Sequence, residues 1–252
     1  MGSALYAEMV ASDVVLTNSA GVHAIPIAEY VVAGVLHFLR GLDVAIDQQR
    51  RSEWLKTEFV RLDAPLREVD TVRALIIGVR GIGGETAKRL SALGARCTGV
   101  RRRVGAGVPP GFADVIALDD LDAALPSHDV VVLAAPVTSE TLGVLTAERL
   151  DRLPSSAIVV NVSRGALLDE AALADRVASG RLRGAVIDVF QTEPLPPTSP
   201  LWRLRSALVT PHVSPVSPGR FWPRALDLFL DNWRRYIQGA PLRNLVDKNA
   251  GY

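Results

Sequence analysis

From residue 72 onward, short apolar runs alternate along the chain with segments of helical character. The runs are four to six residues long and rich in β-branched side chains, which is typical of strands buried on both faces. They comprise residues 74–79, 97–100, 115–118, 130–135, 157–162, 184–189 and 207–210. The helical segments comprise residues 83–93, 119–125, 142–150 and 170–179. This repetition of strand–helix units predicts an α/β fold with a doubly wound parallel sheet.

The two ends of the chain lack this alternation. Residues 14–17 resemble a short strand, and Pro26 then begins a helix with apolar side chains at helical spacing. We expect the polar stretch of residues 43–53 to extend this helix. At the other end, residues 223–238 predict a last helix with one apolar face.

The bulk composition limits which partners the chain can have. Its 252 residues, 48% of them hydrophobic, can bury the core of one large domain or two small ones. The formal net charge is +1, so there is no electrostatic argument for a nucleic acid or a membrane surface as partner. The longest apolar stretch, residues 30–39, is too short to span a bilayer, and we recognise no signal peptide at the start.

Cysteine and histidine are both scarce. The single cysteine, Cys97, excludes a disulfide framework and suits a small apolar strand residue in a reducing compartment, so we expect a cytoplasmic protein. No group of histidines and cysteines has the spacing of metal ligands, so we predict no metal. His23, His37 and His128 lie in a turn, in an apolar helix and before a strand, and we assign them structural roles.

A glycine-rich turn joins the first apolar run to the helix after it. The turn is Gly78-Val-Arg-Gly-Ile-Gly83, in which the first glycine permits a tight turn and the last lets the helix pack against the strand. The amide groups at the start of such a helix can face a pyrophosphate. The context therefore predicts a dinucleotide-binding loop, with a purely structural turn as the alternative. Arg80 takes the central glycine position beside Gly81, where its side chain either obstructs the pyrophosphate or pairs with it.

Three arginines, at positions 101 to 103, follow the second apolar run. A site for NAD carries an acid about 20 residues after the glycine loop, where the acid binds the ribose 2′-hydroxyl. Arg101 and Arg102 stand there instead, and guanidinium groups pair with a 2′-phosphate that a carboxylate would repel. We therefore predict NADP(H) as the preferred cofactor and NAD(H) as the second choice. The alternative interpretation is a solvated basic turn.

Arg164, Glu193 and His212 each follow shortly after a late apolar run. Because the carboxyl ends of parallel strands meet at one edge of the sheet, where ligands of open α/β folds bind, we expect these side chains to converge. A guanidinium, a carboxylate and an imidazole can together hold an anionic substrate, polarise a carbonyl and transfer a proton. The alternative interpretation is three separate, solvated loop residues.

In their order and spacing, these motifs together resemble the D-isomer-specific 2-hydroxyacid dehydrogenases. The resemblance covers nearly the whole chain and includes the glycine loop and the segments around Arg164, Glu193 and His212. The other matching segments are Val14-Val-Leu-Thr-Asn18, Gly21-Val-His-Ala24, Pro26-Ile-Ala-Glu29, Pro136-Val-Thr-Ser-Glu-Thr141 and Asn244-Leu-Val-Asp247. It implies a Rossmann-type sheet and hydride transfer between a nicotinamide cofactor and a small 2-keto or D-2-hydroxy acid.

The resemblance also implies a role for each matching residue. Arg164 would bind the carboxylate and carbonyl of the substrate, His212 would protonate the carbonyl oxygen, and Glu193 would be the partner of His212. A carboxylate beside an imidazole favours the imidazolium form, which agrees with this assignment. From the glycine loop, the basic turn and the resemblance together, the candidate cofactor contacts are Gly78, Arg80, Gly81, Ile82, Gly83, Arg101, Arg102, Pro136, Thr141, Val162, Ser163 and, at the nicotinamide carboxamide, Asp188.

The resemblance further implies a division of the chain. Residues 25–221 would form the dinucleotide-binding domain, with an N-terminal helix that forms a two-fold homodimer. Residues 1–24 and 222–252 would be a remnant of a flavodoxin-like substrate domain. Family members carry most of that domain ahead of the segment matching Val14, where this chain has 13 residues, so we expect one wall of the substrate cleft to be largely missing.

The sequence is consistent with two functions of different kinds. The leading one is NADPH-dependent reduction of a small 2-keto acid, of the glyoxylate or hydroxypyruvate type, to the D-2-hydroxy acid. The second is a regulatory nucleotide-binding module without turnover, which Arg80 and the missing domain favour and the intact catalytic set opposes. A formate dehydrogenase of the same fold is disfavoured, because that branch places glutamine where Glu193 stands.

Overall fold

The computed structural model describes residues 5–62, 64–102, 104, 105 and 107–248. Within these ranges, seven strands form one parallel sheet in the order β3-β2-β1-β4-β5-β6-β7. The strands are β1 (Arg73–Ile77), β2 (Arg96–Arg101), β3 (Asp114–Ala117), β4 (Val130–Leu133), β5 (Ile158–Asn161), β6 (Gly184–Ile187) and β7 (Ala207–Val209). Because the strand order reverses between β1 and β4, the predicted doubly wound parallel sheet is confirmed.

The described part of the chain also forms nine α-helices. They are α1 (Ala7–Ala11), α2 (Ala24–Leu39), α3 (Leu42–Arg50), α4 (Thr57–Val60), α5 (Gly81–Ala92), α6 (Leu121–Ala124), α7 (Ala147–Asp151), α8 (Glu170–Ala178) and α9 (Phe221–Ile237). The helix predicted over residues 142–150 starts only at Ala147, because the Thr146 side chain accepts the Arg149 amide and caps it there. The strand predicted over residues 14–17 is absent from the described structure and is reduced to an isolated bridge.

The prediction of a single helix from Pro26 through residues 43–53 is wrong, because the structure has two helices there. α2 ends at Leu39, Gly41 adopts a left-handed φ of +66°, and α3 leaves at an angle of 71°. A glycine tolerates this backbone conformation, which other residues rarely adopt. The break lets α2 lie on the sheet, where Val31 and Phe38 are fully buried.

The apolar strands are explained by the burial of both sheet faces. In β1, Leu75 packs into one hydrophobic cluster and Ile76 into the other, as the two-residue period of a strand requires. Helices α7 and α8 cover the first face, and α2 and α5 cover the second. α2 approaches β6 so closely that a Cβ atom on Gly34 would lie 2.7 Å from a methyl carbon of Val186.

In the described ranges, no single helix is both long and apolar enough to cross a membrane. The pair α2 and α3 reaches that length and composition only when joined across the 71° bend. Eight residues of α2 are buried inside the protein.

The first and last described segments of the chain lie against each other. The Asn18 amide donates to the carbonyl of Asn244 at 3.1 Å, and the Asn244 side chain donates back to the Asn18 carbonyl at 3.2 Å. Lys248 donates to the Met9 carbonyl at 3.0 Å. Helix α9 runs beside these segments without burying any of its residues fully. Hydrogen bonds thus hold the two ends of the described chain together.

Candidate active site

A cavity of about 380 Å³ opens at the carboxyl ends of the strands. Residues from the glycine loop, from the turns after β5 and β7, and from the turn before α2 line it. The lining includes His23, Ile82, Val162, Arg164, His212 and Ser214. The structure therefore brings Arg164 and His212, 48 positions apart in the sequence, to one cavity.

Glu193 is hydrogen-bonded to the imidazole of His212. The Nδ1 atom of His212 lies 2.8 Å from the Oε2 atom of Glu193, whose Oε1 atom accepts the Phe190 amide at 3.0 Å. Since a carboxylate only accepts hydrogen bonds, Nδ1 carries the proton and Nε2 is the atom left for a ligand. Burial raises the pKa of the Glu193 carboxyl, but the hydrogen bonds from His212 and Phe190 outweigh it and hold that pKa below its ordinary value.

The backbone at His212 has a left-handed φ of +54°, which is uncommon for a residue with a side chain. Asp188 is fully buried beside it. One oxygen of Asp188 accepts the Thr210 hydroxyl at 2.5 Å and the Val213 amide at 2.9 Å, and the other accepts the Ser214 amide at 2.8 Å. Asp188 therefore anchors the loop that presents His212, and its contact with a nicotinamide stays a prediction.

Arg164 is presented by a short turn after β5. The fully buried Asn161 braces this turn, because its side chain accepts the Ser163 amide at 3.2 Å and donates to the Arg164 carbonyl at 3.0 Å. The Ser163 hydroxyl in turn donates to the Ala135 carbonyl after β4 at 2.5 Å. Arg164 is exposed, and one of its terminal nitrogens donates to the Ser163 carbonyl at 2.6 Å. Its remaining N–H groups are available to an anion.

The glycine loop between β1 and α5 has the shape that a dinucleotide needs. Gly78 has a φ of +105°, and a Cβ atom there would lie 2.6 Å from the Ala134 carbonyl oxygen. A Cβ atom on Gly83 would lie 1.7 Å from the Gly78 oxygen, so this close contact of helix and strand requires glycine. Gly81 begins α5 with open space at its Cβ position, and Arg80 precedes it with an exposed side chain. These residues fit a pyrophosphate at the start of α5.

The loop after β4 is held by its own hydroxyl groups. The Thr141 hydroxyl donates to the Pro136 carbonyl at 2.7 Å, and the Thr138 amide donates to the Thr141 hydroxyl at 2.8 Å. These contacts place Pro136 and Thr141 in one compact turn beside the glycine loop.

A second cavity, of about 400 Å³, lies farther along the same edge. Arg102 lines it together with Glu140 and with Asp119 from the end of β3. The Nη1 atom of Arg102 lies 3.4 Å from the Oε2 atom of Glu140, and both side chains are nearly half exposed. The Arg102 side chain can contact a ligand in this cavity, but the ligand would have to displace the ion pair with Glu140.

The two described arginines of the basic turn differ in their contacts. Arg101 donates from one terminal nitrogen to the carbonyls of Val104, at 2.8 Å, and Gly107, at 2.6 Å, and so holds the loop after β2. Arg102 makes the exposed ion pair with Glu140. Arg103 lies outside the described residues.

His23 lines the first cavity, although its position in a turn of the sequence predicted only a structural role. Its Nδ1 atom lies 3.2 Å from the Pro215 carbonyl oxygen, and its ring stacks on Phe221 at 5.0 Å between centroids. Pro215 and Phe221 lie 192 and 198 positions after His23 in the sequence. The only local signal was the place of His23 in the turn that leads into α2.

The other two predicted structural histidines lie away from this cavity. His128 is buried, with one ring nitrogen 2.7 Å from the Ala124 carbonyl and the other 3.2 Å from the Thr98 hydroxyl. Burial lowers the pKa of His128 and of His37. No group of three potential metal-binding side chains occurs in the part of the chain that the structure describes.

Comparison with known proteins gives the same family from sequence and from structure. The family model described as "D-isomer specific 2-hydroxyacid dehydrogenase, NAD binding domain" matches residues 32–214. The chain is 33% identical over 226 residues to glyoxylate/hydroxypyruvate reductase A of Salmonella newport, a match that covers 89% of this chain and 68% of the relative.

Two solved structures are informative for the site. A D-isomer specific 2-hydroxyacid dehydrogenase from Xanthobacter autotrophicus Py2, in complex with NADPH and MES, matches at a TM-score of 0.85 and 31% identity. That match covers 100% of this chain and 98% of the other. An NADPH-dependent glyoxylate/hydroxypyruvate reductase from Sinorhizobium meliloti, in complex with NADP and sulfate, matches at a TM-score of 0.81 and 28% identity, covering 96% of this chain and 74% of the other.

Proposed function

The chain belongs to the D-isomer specific 2-hydroxyacid dehydrogenases, and we propose that it reduces a small 2-keto acid to the D-2-hydroxy acid with NADPH. The observation that carries this proposal is the single cavity lined by Arg164 and His212, with Glu193 bonded to the imidazole. Glyoxylate and hydroxypyruvate are the substrates we propose, because the relative from Salmonella newport is named for them.

Each residue then has a distinct part in the reaction. The guanidinium of Arg164 binds the carboxylate of the keto acid and orients its carbonyl. The Nε2 atom of His212 carries a proton in the imidazolium form and donates it to the carbonyl oxygen. Glu193 holds the imidazole through Nδ1 and stabilises its positive charge before that transfer. The product is a D-2-hydroxy acid bound by the same guanidinium.

When bound, the reduced nicotinamide supplies the hydride for this reaction. The loop from Gly78 to Gly83 would hold the pyrophosphate, and Ile82 and Val162, which line the first cavity, would face the nicotinamide end. Arg102 would bind the 2′-phosphate at the second cavity. The NADPH and NADP in the two matching structures support this choice of cofactor.

The direct test is a turnover assay on the full chain. The protein is incubated with NADPH and either glyoxylate or hydroxypyruvate, and nicotinamide absorbance is followed. We expect turnover that His212→Ala lowers by about 10²- to 10⁴-fold, the range for a lost general acid. His37→Gln, a histidine outside the cavity, serves as the control. Full activity in His212→Ala would overturn the assignment.

The alternative function, a nucleotide-binding module without turnover, is favoured by Arg80 in the glycine loop. We propose instead that Arg80 supports binding, because its side chain is exposed at the start of α5, where it can pair with a phosphate. Arg80→Gly should then weaken NADPH binding several-fold. Tighter binding would mean that Arg80 obstructs the pyrophosphate, and NADPH binding without turnover in the wild type would favour the module.

We also propose that the protein forms a homodimer through the arm after α2. Trp54 is 94% exposed in the single chain and Leu62 is fully exposed, which is unusual for side chains of this size. Leu42 and Val60 add to the same segment. Sedimentation velocity should give a dimer for the wild type, and Trp54→Glu should weaken it. A wild-type monomer at all concentrations would contradict the proposal.

The division of the chain remains part of the proposal. The contacts of Asn18 and Lys248 with the opposite end of the chain support a separate small unit of residues 1–24 and 222–252 beside the dinucleotide domain of residues 25–221. Residues 1–4 and 249–252 of this unit lie outside the described residues. Hydrogen exchange followed by mass spectrometry should then show the two terminal segments exchanging together and independently of the sheet.

We propose a cytoplasmic location from the state of Cys97. This thiol is buried, and burial raises its pKa to about 11, so it stays protonated and unreactive. It therefore has the character of a structural cysteine in a reducing compartment. Cell fractionation should recover the protein with cytoplasmic markers, and recovery from the medium or the periplasm would contradict this location.

A further inference from the structure

We propose that Tyr30 is a positioning residue for His212 and acts through Thr210 and Asp188. Tyr30 lies on α2 and is not among the residues that line the cavity. Its hydroxyl oxygen lies 2.6 Å from the Thr210 hydroxyl, which lies 2.5 Å from a carboxylate oxygen of Asp188. The inference rests on the proposed function in one respect, because that function makes His212 the proton donor.

The direction of the hydrogen bonds in this chain follows from the groups themselves. A carboxylate only accepts, so the one hydroxyl proton of Thr210 points to Asp188. The Thr210 oxygen can then only accept from its other neighbour, and Tyr30 must donate. Burial, together with the Asp188 charge, raises the pKa of Tyr30 above its ordinary value despite the opposing Thr210 bond. Tyr30 therefore stays a donor.

The series of hydrogen bonds that starts at Tyr30 ends at the backbone on either side of His212. Thr210 precedes His212 by two residues, and the amides of Val213 and Ser214 directly follow it. Asp188 binds all three, at 2.5, 2.9 and 2.8 Å. Because His212 has a φ of +54°, its backbone conformation depends on such restraints from its surroundings. A change in the hydrogen bond between the Thr210 hydroxyl and the Asp188 carboxylate therefore reorients the imidazole of His212.

The competing explanation is that Tyr30 only fills space between α2 and the sheet, where its ring packs against the second hydrophobic cluster. The variant Tyr30→Phe separates the two explanations, because it keeps the ring and removes only the donor. For a positioning role we expect kcat to fall about tenfold, with the KM for the keto acid and NADPH affinity within about twofold of wild type. Tyr236→Phe, an exposed tyrosine on α9, is the control.

Thr210 offers a second and independent set of variants. Thr210→Ser keeps the hydroxyl and should retain most of kcat, whereas the nearly isosteric Thr210→Val removes it and should lose at least as much as Tyr30→Phe. If Tyr30 acts through Thr210, the double variant Tyr30→Phe/Thr210→Val should be no slower than Thr210→Val alone. Multiplicative losses in the double variant would overturn the proposal.

A third readout does not depend on turnover. The chain has four histidines, so selective ¹⁵N-histidine labelling gives few side-chain signals, and loss of one in His212→Gln assigns it. Without substrate, Tyr30→Phe should shift the His212 signals, and Tyr236→Phe should not. Unchanged His212 signals would reject the proposal even in an active enzyme. A wild type without turnover would reject the proposed function, while shifted signals would still support the role of Tyr30.

Discussion

His212 and Glu193, which follow different strands of the sheet, are joined by a hydrogen bond of 2.8 Å between Nδ1 and Oε2. The second oxygen of Glu193 is fixed by the Phe190 amide, so the carboxylate cannot rotate without losing a bond. The pair therefore has a fixed geometry and a fixed proton position. This relationship leaves Nε2 as the nitrogen that can pass a proton to a ligand, which is the role that we propose for His212.

We predict that Glu193→Gln lowers kcat by about 10- to 100-fold, the usual effect of losing a group that orients a reactive side chain. Glutamine keeps the size of the side chain but removes the negative charge beside the imidazole. Steady-state kinetics with NADPH and the keto acid measure the change, with Glu58→Gln on α4 as a surface control. Equal kcat in Glu193→Gln and wild type would show that the pair is not catalytic.

The lowered pKa of Glu193 predicts a pH window. Because the folded-state pKa lies below the ordinary value of 4.5, the carboxylate stabilises the fold above that pH and loses this effect as the pH falls through the lower folded-state value. The difference in Tm between wild type and Glu193→Gln should therefore shrink as the pH falls below about 4.5, because the wild-type carboxylate then becomes protonated. Thermal melts from about pH 5 down to about pH 3 measure it, and a difference that stays constant over this range would contradict it.

Arg164 is predicted to act mainly in binding the substrate carboxylate. Arg164→Gln should raise the KM for the keto acid by about 100-fold, as expected when a charged partner is removed. Arg164→Lys should recover part of the loss, because an ammonium keeps the charge but cannot form two parallel hydrogen bonds. The matched control is Arg181→Lys, at an ion pair on the surface. An unchanged KM in Arg164→Gln would place the substrate elsewhere.

We predict that substitutions at Arg102 and at Glu140 change the preference for NADPH over NADH in opposite directions. Arg101 is held by carbonyl groups of its own loop, whereas Arg102 is paired only with Glu140 among the contacts described above. Arg102→Gln should therefore weaken NADPH binding about 10-fold and have little effect on NADH binding. Glu140→Gln frees Arg102 from its ion pair and should tighten NADPH binding. Fluorescence titration with both cofactors measures this, with Arg234→Gln as a control of equal charge change. Parallel losses for NADPH and NADH would contradict it.

The sheet could be predicted from the sequence because its signal is local. A strand buried on both faces must be apolar at every position, so runs such as Val130–Leu133 identify themselves without any knowledge of their neighbours. The place of Arg164, Glu193 and His212 followed from the same fact, since each comes just after such a run. Gly78 and Gly83 were also local signals, because only glycine fits where the helix meets the strand.

Other features depend on contacts that the sequence does not display. The predicted helix ran through Gly41 without a break, whereas in the structure Gly41 has a left-handed φ at which α3 turns away from α2. His23 gains its place through Pro215, and Tyr30 gains its partner through Thr210, at sequence separations of 192 and 180. Arg101 appeared equivalent to Arg102 until the loop carbonyls that hold it were visible. Each of these features depends on long-range packing or on loop conformation.

The close contact between the turn after β5 and the turn after β6 gives a last prediction. A Cβ atom on Gly165 would lie 1.9 Å from the carbonyl carbon of Phe190, in backbone that cannot move as a flexible side chain can. Gly165→Ala should therefore destabilise the fold by about 1–3 kcal/mol, the usual cost of overpacking, and should separate Arg164 from Glu193. Gly105→Ala, where the added Cβ has open space, is the matched control. Thermal melts and kcat measured together test this. A Gly165→Ala protein with wild-type Tm and kcat would mean that the two turns are not in contact, and that the guanidinium and the imidazole are held together by other means.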